Sequence, residues 1–449
     1  MAEILDNMTR RAFLGMPMAG YLEKLRIAQA TSLINKPNVI FILADDLGSG
    51  DLGCYGGPVP MPNIDWLARH GLRFTNFHSG GPVCSASRAT LLTGRYVQRL
   101  GMPELNSVIF PGTKTGLLGE ITIADILRYN GYLTGCVGKW HLGHYRPEFL
   151  PINHGFDFFR GIPYSNDMSP LPYYRGTEII GMLDDVREIL TERFTIDALD
   201  FITQAQTHKN IPFFLYLAFT APHIPLQPSA SFLGRSGMGV YWDMVLELDW
   251  NIGQVLKILS ENTLVIFMSD NGADLGQPPG ERGSNGIYSG GKFEVTEGGI
   301  RVPFITHMPG CIPEDRVCGE LTSALDILPT LGILSGFAPE DPHLGEPDGV
   351  NIWPLMTGEA DRINRRRPLL HFRYGDPVCA SGRYRDPADG KEYNVKLWFA
   401  RNSSGLDPLQ LYNMDKDPAE TSNVAPEHPG IVAQMVSDIK GELSTFSLD

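Results

Sequence analysis

Three observations predict an α/β protein with a large, mostly parallel central sheet and a small α+β region at the C-terminus. Short apolar runs alternate with helical patterns over residues 39–334, several of those runs end in polar groups, and the texture changes near residue 365. The chain has 449 residues, 43% of them hydrophobic and 20% charged, which suffices for a large buried core and is long for a single one. Its net charge of −14 leaves no general basic footprint for nucleic acid or an anionic membrane. No stretch is apolar and long enough to predict a transmembrane helix.

Pro37 precedes an apolar run over residues 39–43 that ends in Ala44-Asp45-Asp46, which reads as a buried parallel strand. Residues 62–70 read as a helix that Gly71 stops. A further apolar run covers 72–77. Helical patterns then occupy 123–130, 188–206, 242–259 and 324–334, and strand-like runs occupy 132–137, 213–219, 264–268 and 302–307. From Arg365-Arg366-Arg367-Pro368 onward the chain becomes polar and rich in Gly, Tyr and Asp, with strand candidates at 369–372 and 395–400 and a last helix at 431–443. This divides the chain into a leader, 1–35, a large α/β domain, 36–365, and a small C-terminal domain, 366–449. The leader contains Thr9-Arg10-Arg11-Ala12-Phe13-Leu14, a twin-arginine-like pattern, with Ala28-Gln29-Ala30 as a possible cleavage site, and predicts a periplasmic or secreted protein. Glu23, Lys24 and Arg26 interrupt the apolar stretch between them, so a plain leader helix or arm is the alternative. The six cysteines do not form a disulfide framework, although Cys311 and Cys318 could close a short loop.

Ligands of open α/β sheets bind at the carboxyl ends of the strands. One strand candidate ends at Asp45-Asp46, another at Ser269-Asp270-Asn271-Gly272, and a third leads through Thr220-Ala221-Pro222 to His223. Asp45, Asp46, Asp270 and Asn271 form an all-oxygen set suited to a hard cation, Ca²⁺ or Mg²⁺. The alternative is that each Asp caps a turn, as Asp before Gly commonly does.

The segment Pro82-Val83-Cys84-Ser85-Ala86-Ser87-Arg88-Ala89-Thr90-Leu91-Leu92-Thr93-Gly94 resembles the signature of the type I sulfatases, with Ala86 where Pro is usual. The segment from Gly131 to His141, ending Gly138-Lys139-Trp140-His141, resembles the second signature of that family. In order along the chain, Tyr164-Ser165-Asn166-Asp167-Met168, Ala221-Pro222-His223-Ile224-Pro225, Asp270-Asn271-Gly272, Gly290-Gly291-Lys292, Glu297-Gly298-Gly299-Ile300-Arg301-Val302-Pro303, Trp353-Pro354-Leu355, Leu411-Tyr412-Asn413 and Asp417-Pro418 resemble further family motifs. The resemblance spans residues 36–432 and is nearest to the arylsulfatase A and N-acetylgalactosamine-6-sulfatase type. It implies an alkaline phosphatase-like fold with helices on both faces of the sheet. It also implies hydrolysis of a sulfate monoester, on a sulfated carbohydrate or an aryl sulfate, with a maturation enzyme converting Cys84 to formylglycine.

The chemistry explains that conversion. A thiol is poorly suited to attack an anionic sulfate ester and then let go, whereas a hydrated aldehyde carries two hydroxyls on one carbon, one to attack sulfur and one whose deprotonation expels sulfate. Cys84 would open a helix whose amides favour an anion, and Arg88, one turn on, would hold the Asp carboxylates and the nucleophile. By resemblance, Asp45, Asp46, Asp270, Asn271 and the modified Cys84 bind the cation. Lys139 binds the nucleophile and sulfate oxygens, His141 takes the proton that releases sulfate, Ser165 offers a hydroxyl to the sulfate, and His223 and Lys292 serve the leaving oxygen. These cations would gather around one anion in an acidic protein. Two other readings remain: a phosphate or phosphonate ester hydrolase of the same superfamily, and a non-enzymatic binder of sulfated glycans. Substrate choice is expected in the loops 100–120, 165–185, 228–240 and 274–290 and in the C-terminal domain.

Overall fold

The apolar run after Pro37 is β1 (Asn38–Ala44), and in the computed structural model it lies at the middle of the molecule. The structure describes residues 36–208, 211–338, 341–402 and 405–446, so the leader prediction lies outside the described residues. Nearly every residue of β1 is buried, as expected of a strand covered on both faces. It pairs in parallel with β9 (Thr263–Ser269) on one side and with β8 (Phe213–Ala218) on the other. Parallel pairing continues from β8 to β4 (Leu133–Lys139) and on to β5 (Phe158–Ile162).

The margins of this sheet run differently from the expectation. β10 (Phe304–His307) is antiparallel to β9 and to β2 (Leu72–Phe74), while β11 (Arg316–Cys318) is parallel to β2. On the far side β6 (Pro172–Arg175) and β7 (Glu178–Met182) continue antiparallel from β5. The result is a mixed sheet of ten strands in the order β11-β2-β10-β9-β1-β8-β4-β5-β6-β7, with a parallel centre. The single run expected at 72–77 is split at Thr75 and Asn76, and its second half, β3 (Phe77–His78), pairs with β12 (Thr322–Ser323) in a separate ribbon.

Alternation along the central strands sends side chains to both faces. On one face Ile40, Ile42, Val137, Leu215, Leu217, Val265 and Phe267 form one core with residues of helices α1 (Pro62–Arg69), α4 (Leu190–Thr207) and α5 (Val240–Leu256). On the other, α2 (Cys84–Thr93), α3 (Ile123–Tyr129) and α7 (Ile327–Ser335) contact one another, and α3 contacts β4. The short α6 (Glu297–Ile300) and α8 (Trp353–Thr357) lie on either side of α7 in the chain. Gly138, next to last in β4, has φ +106°, and a Cβ there would stand 1.9 Å from the Ala218 carbonyl oxygen. Only glycine lets β4 and β8 approach this closely at the end that carries Lys139.

The C-terminal region is an antiparallel meander, β13 (Leu369–Arg373), β14 (Asp376–Arg385), β15 (Glu392–Asn402) and β16 (Gly405–Asn413), covered by α9 (Pro429–Leu443). Its core of Leu370, Ala380, Leu397, Leu411, Ile431, Met435 and Ile439 also takes in Tyr96, Leu321 and Leu325 from earlier in the chain. All six cysteines are free thiols, so the loop from Cys311 to Cys318 is not closed. The register of β11 against β2 holds Cys318 in the sheet instead.

A buried charge cluster joins the meander to α6. Lys396 of β15 is fully buried, and its Nζ donates to the Val295 carbonyl at 2.7 Å and to Glu297 Oε1 at 2.9 Å, with Glu420 Oε1 at 3.1 Å. Burial works against ionisation of Glu297, but Lys396, His78 and Arg301 hold its carboxyl well below the usual range. That stabilisation is present above the unfolded-state pKa of glutamate and is lost as pH falls through the depressed folded value. Removing one partner of a buried pair strands the other. Lys396→Ala is therefore expected to destabilise the protein by about 3–5 kcal/mol in urea denaturation at neutral pH. A loss under about 1 kcal/mol would show that the cluster behaves like a surface ion pair.

Candidate active site

Four neighbouring parallel strands, β9, β1, β8 and β4, end on one rim. Ala44 is level with Ser269, Leu43 with Ala218, and Gly138 with Ala218. The residues that follow these ends therefore share a rim: Asp45 and Asp46 after β1, Asp270 and Asn271 after β9, His223 in the loop after β8, and Lys139 and His141 at the end of β4. Backbone bonds lock the ends together, from Asp270 N–H to the Ala44 carbonyl at 3.0 Å and from Asp45 N–H to the Ala221 carbonyl at 3.2 Å.

α2 approaches this rim with Cys84 as its first residue, and every residue of the helix is buried. The Cys84 thiol donates to Asp45 Oδ1 at 3.3 Å. One turn later Arg88, with no exposed surface, donates through Nε and Nη2 to Asp270 Oδ2 at 3.0 and 2.9 Å and through Nη1 to the Lys139 carbonyl at 2.8 Å. Lys139 Nζ donates to Asp45 Oδ2 at 2.5 Å and to Ser165 Oγ at 3.0 Å. Lys292 Nζ donates to Asp46 Oδ2 at 2.7 Å, and His223 Nε2 stands 3.6 Å from the same oxygen. All eleven residues singled out in the sequence thus lie in one connected neighbourhood, held from several elements far apart in the chain.

Three carboxylates, Asp45, Asp46 and Asp270, face three permanent cations, Arg88, Lys139 and Lys292. The balance is uneven in space. Burial alone would raise Asp45, yet Lys139, His223, Arg88 and Lys292 together hold its carboxyl well below the usual range. Asp270 goes the other way. Burial and the Asp45 charge push it up to about 6 against the pull of Arg88 and Lys139. The carboxylate group therefore retains negative potential that a further cation would relieve.

Donor chemistry fits such a cation. Asp45, Asp46, Cys84 and His223 each present a ligand atom, all within 4.8 Å of one another. Asn271 donates its Nδ2 to Asp46 Oδ1 at 2.7 Å, and its Oδ1 is buried with no hydrogen-bond partner among the described residues. A neutral amide oxygen beside two carboxylates suits a hard divalent ion. Asp270 is turned toward Arg88 and stands outside the compact group of four, with its Oδ1 accepting the Asp46 N–H at 3.2 Å.

The two histidines differ in tautomer, because a carbonyl can only accept. Nε2–H of His141 donates to the Ile109 carbonyl at 3.1 Å, which leaves Nδ1 as a bare lone pair, buried and without a partner among the described residues. Burial, Lys139 and Arg88 drive His141 well below the usual histidine range, so it is a neutral proton acceptor. Nδ1–H of His223 donates to the Ile224 carbonyl at 2.6 Å, which aims Nε2 at the site. Burial and Lys292 lower its pKa as well. The Cys84 thiol is shifted well up by burial and by the charges of Asp270 and Asp45, so it stays protonated rather than becoming a thiolate.

Backbone strain concentrates here. Asp46 and His141 have φ of +63° and +62°, and Phe293, next to Lys292, has +75°. Such values persist only where the surroundings over-determine them. Ser85, not singled out in the sequence, is one such determinant: its Oγ donates to the His141 carbonyl at 2.9 Å and accepts the Ile109 N–H at 3.2 Å. Its position between Cys84 and Ala86 carries no signal of its own. The Ile109 carbonyl was likewise illegible, since a backbone group has no side-chain code.

The profile of the sulfatase family matches residues 37–337. N-acetylgalactosamine-6-sulfatase of Canis lupus familiaris is 40% identical over 394 residues, which cover 82% of this chain and 73% of that protein. Arylsulfatase A of Homo sapiens is 36% identical over 459 residues, covering 93% of this chain and 89% of the relative. The crystal structure of PsFucS1 sulfatase from Pseudoalteromonas sp. superposes with a TM-score of 0.76 at 26% identity, covering 93% of this chain and 94% of that one. Among the described residues no helix is long and apolar enough to cross a membrane. With the family match over residues 37–337 and these two relatives aligned over 82% and 93% of the chain, the chain belongs to the sulfatase family and is a sulfuric ester hydrolase.

Proposed function

We propose that the protein hydrolyses sulfate monoesters of carbohydrates, using a formylglycine nucleophile made from Cys84 and one divalent cation, Ca²⁺ or Mg²⁺. The observation that carries this reading is the state of Cys84. It opens a buried helix amid three carboxylates and three cations, yet its thiol is held protonated and hydrogen-bonded to Asp45. A residue so placed is well sited for chemistry, and an unmodified thiol held in this way is a poor nucleophile.

The hydrated aldehyde, once formed, supplies the attacking and the expelling hydroxyls. The cation, held by Asp45, Asp46, Asp270, Asn271 and the modified side chain, supplies positive charge at the reacting oxygens. The remaining work falls to the chain. Lys139 and Ser165, joined at 3.0 Å, hold sulfate oxygens from one side, while Lys292 and His223 hold them from the other and stand where the leaving oxygen needs a proton. An arriving sulfate monoester brings negative charge next to His223 Nε2 and favours its protonated form. The bare Nδ1 of His141 receives the proton whose loss frees sulfate. Arg88 fixes Asp270 and the end of β4 and so keeps the nucleophile in place.

Carbohydrate is the proposed substrate class because N-acetylgalactosamine-6-sulfatase is among the most similar relatives and no apolar helical hairpin for a membrane-dissolved sulfate is present among the described residues. The leader at 1–35, with export to the periplasm or outside, and the division of the remaining chain at residue 365 belong to the same reading.

Two experiments test it. Co-expression with a formylglycine-generating enzyme should convert Cys84 to the aldehyde in the peptide mass spectrum. The converted protein should then prefer an aryl sulfate to the matched aryl phosphate in kcat/KM. Full activity with an unmodified thiol would sink the nucleophile, and a preference for phosphate would move the enzyme to the phosphate-hydrolysing branch. Separately, His223→Ala should reduce kcat about 10²–10⁴-fold on alkyl sulfates and less on activated aryl sulfates, because general acid help matters most for poor leaving groups. His141→Ala should let a covalently sulfated enzyme accumulate, visible by intact mass. Equal losses on both substrate types with no trapped species would contradict these two roles.

A further inference from the structure

Residues 362–368, with β14 and β15, enclose a cleft of about 480 Å³ that lies outside the centre at Cys84. That volume is in the range of small-ligand sites. Six arginines line it, Arg362, Arg365, Arg366, Arg367, Arg383 and Arg385, against three acids, Glu320, Glu392 and Asp438. In a chain of net charge −14 this is a local reversal of sign.

The acids do not use up the arginines. Arg383 engages Glu320, and Arg365 Nη2 donates to Asp326 at 2.5 Å, so these two are anchored in the fold. The Tyr384 hydroxyl bonds Asp438. Glu392 is shared between Arg362 Nη1 at 2.6 Å and Arg385 Nη2 at 3.3 Å, and those arginine side chains remain 66% and 68% exposed. Arg367 has one long ion pair among the described residues, 3.4 Å to Glu442, and is 65% exposed. The exposed Arg366 side chain makes no hydrogen bond or ion pair to any described residue. Each guanidinium offers five N–H donors in a planar fork, so most donors here are free to take an oxyanion two at a time. The wall also carries an aromatic face. At Gly382 a Cβ would stand 2.6 Å from Tyr384 Cε2, so the glycine is what allows the ring to lie this close to the β14 backbone.

We propose that this cleft is a second anion-binding site that holds a sulfated oligosaccharide, its sulfate groups on the free arginine forks and a sugar ring against Tyr384. The proposal rests on the reading of the substrate as a sulfated carbohydrate. A bounded recess in an acidic protein fits a short sulfated chain better than a nucleic acid, which calls for an extended basic stripe. Holding one part of a polymer here raises the effective concentration of its other sulfate esters at the Cys84 centre.

The test is titration of fluorescein-labelled dextran sulfate into three forms of the mature protein at low salt: wild type, Arg362→Ser/Arg366→Ser/Arg385→Ser, and the control Arg69→Ser/Arg128→Ser/Arg175→Ser. The control loses the same charge from exposed sites elsewhere. The cleft variant is expected to bind about tenfold more weakly and the control within about twofold of wild type. Arg366→Ser alone, which breaks no contact to a described residue, should weaken binding about two- to fivefold and serves if the triple variant does not fold. Unchanged binding in the cleft variant, equal losses in cleft variant and control, or single-stranded DNA competing as well as dextran sulfate would each overturn the proposal. Hydrolysis of a small aryl sulfate, read in the same preparations, reports the Cys84 centre alone and should be unchanged in both variants, so failure of that centre and failure of the cleft are separate results.

Discussion

Three aspartates buried together must be neutralised, and much of the site follows from how this is done. Asp45, Asp46 and Asp270 are almost without solvent contact. Desolvated like charges repel strongly, so each needs a cation or a hydrogen bond at close range. Arg88 answers Asp270 from α2, Lys139 answers Asp45 from β4, and Lys292 answers Asp46 from a loop. Those three bonds tie a helix, a strand and a loop to the ends of β1 and β9. They also place Cys84 at the meeting point, because Arg88 cannot reach Asp270 without bringing the start of α2 against Asp45. The left-handed backbone at Asp46 and His141 is held by the same bonds and by Ser85. In this sense the electrostatic requirement and the catalytic geometry are one arrangement.

The meander extends that arrangement from outside the main sheet. Lys396 grips the Val295 carbonyl, and Glu420 accepts the Glu297 N–H at 2.8 Å, so β15 and the turn after β16 hold the chain just beyond Lys292. On the other side, the Phe293 N–H donates to the Pro82 carbonyl at 2.9 Å, which ties the same loop to the segment before Cys84. A lysine on an unsupported loop would sample many positions. Here both flanks are fixed by buried bonds, and the small C-terminal sheet contributes directly to the position of a residue proposed to protonate the leaving group.

Much of this was legible in the sequence, for identifiable reasons. β1, β4, β8 and β9 are covered on both faces, so they appear as short continuous apolar runs, and their polar ends mark the rim. Cys84 and Lys139 sit in contiguous motifs that can be read without folding. The margins of the sheet were not legible. β5 carries Arg160 and Gly161, which break its apolar run, and nothing in residues 304–307 says that β10 runs antiparallel. β14 contains Pro377 and Gly382 and resembles a loop until it is paired. Burial of Lys396 is invisible too, since a lysine in a strand looks like a solvated one. The arginines at 365–367 were visible as a basic run, but only folding sets them beside Arg383 and Arg385.

The account stands on the buried carboxylates forming a site for one hard divalent cation, and the most direct measurement is calcium binding to chelator-treated, formylglycine-containing protein by isothermal titration, with activity followed in parallel. The expected result is one Ca²⁺ per chain, with activity absent before addition and restored as that site fills. Asn271→Ala, which removes the bare amide oxygen, should weaken that binding. Full activity in protein shown to be free of metal, or calcium uptake that leaves activity unchanged, would contradict the account.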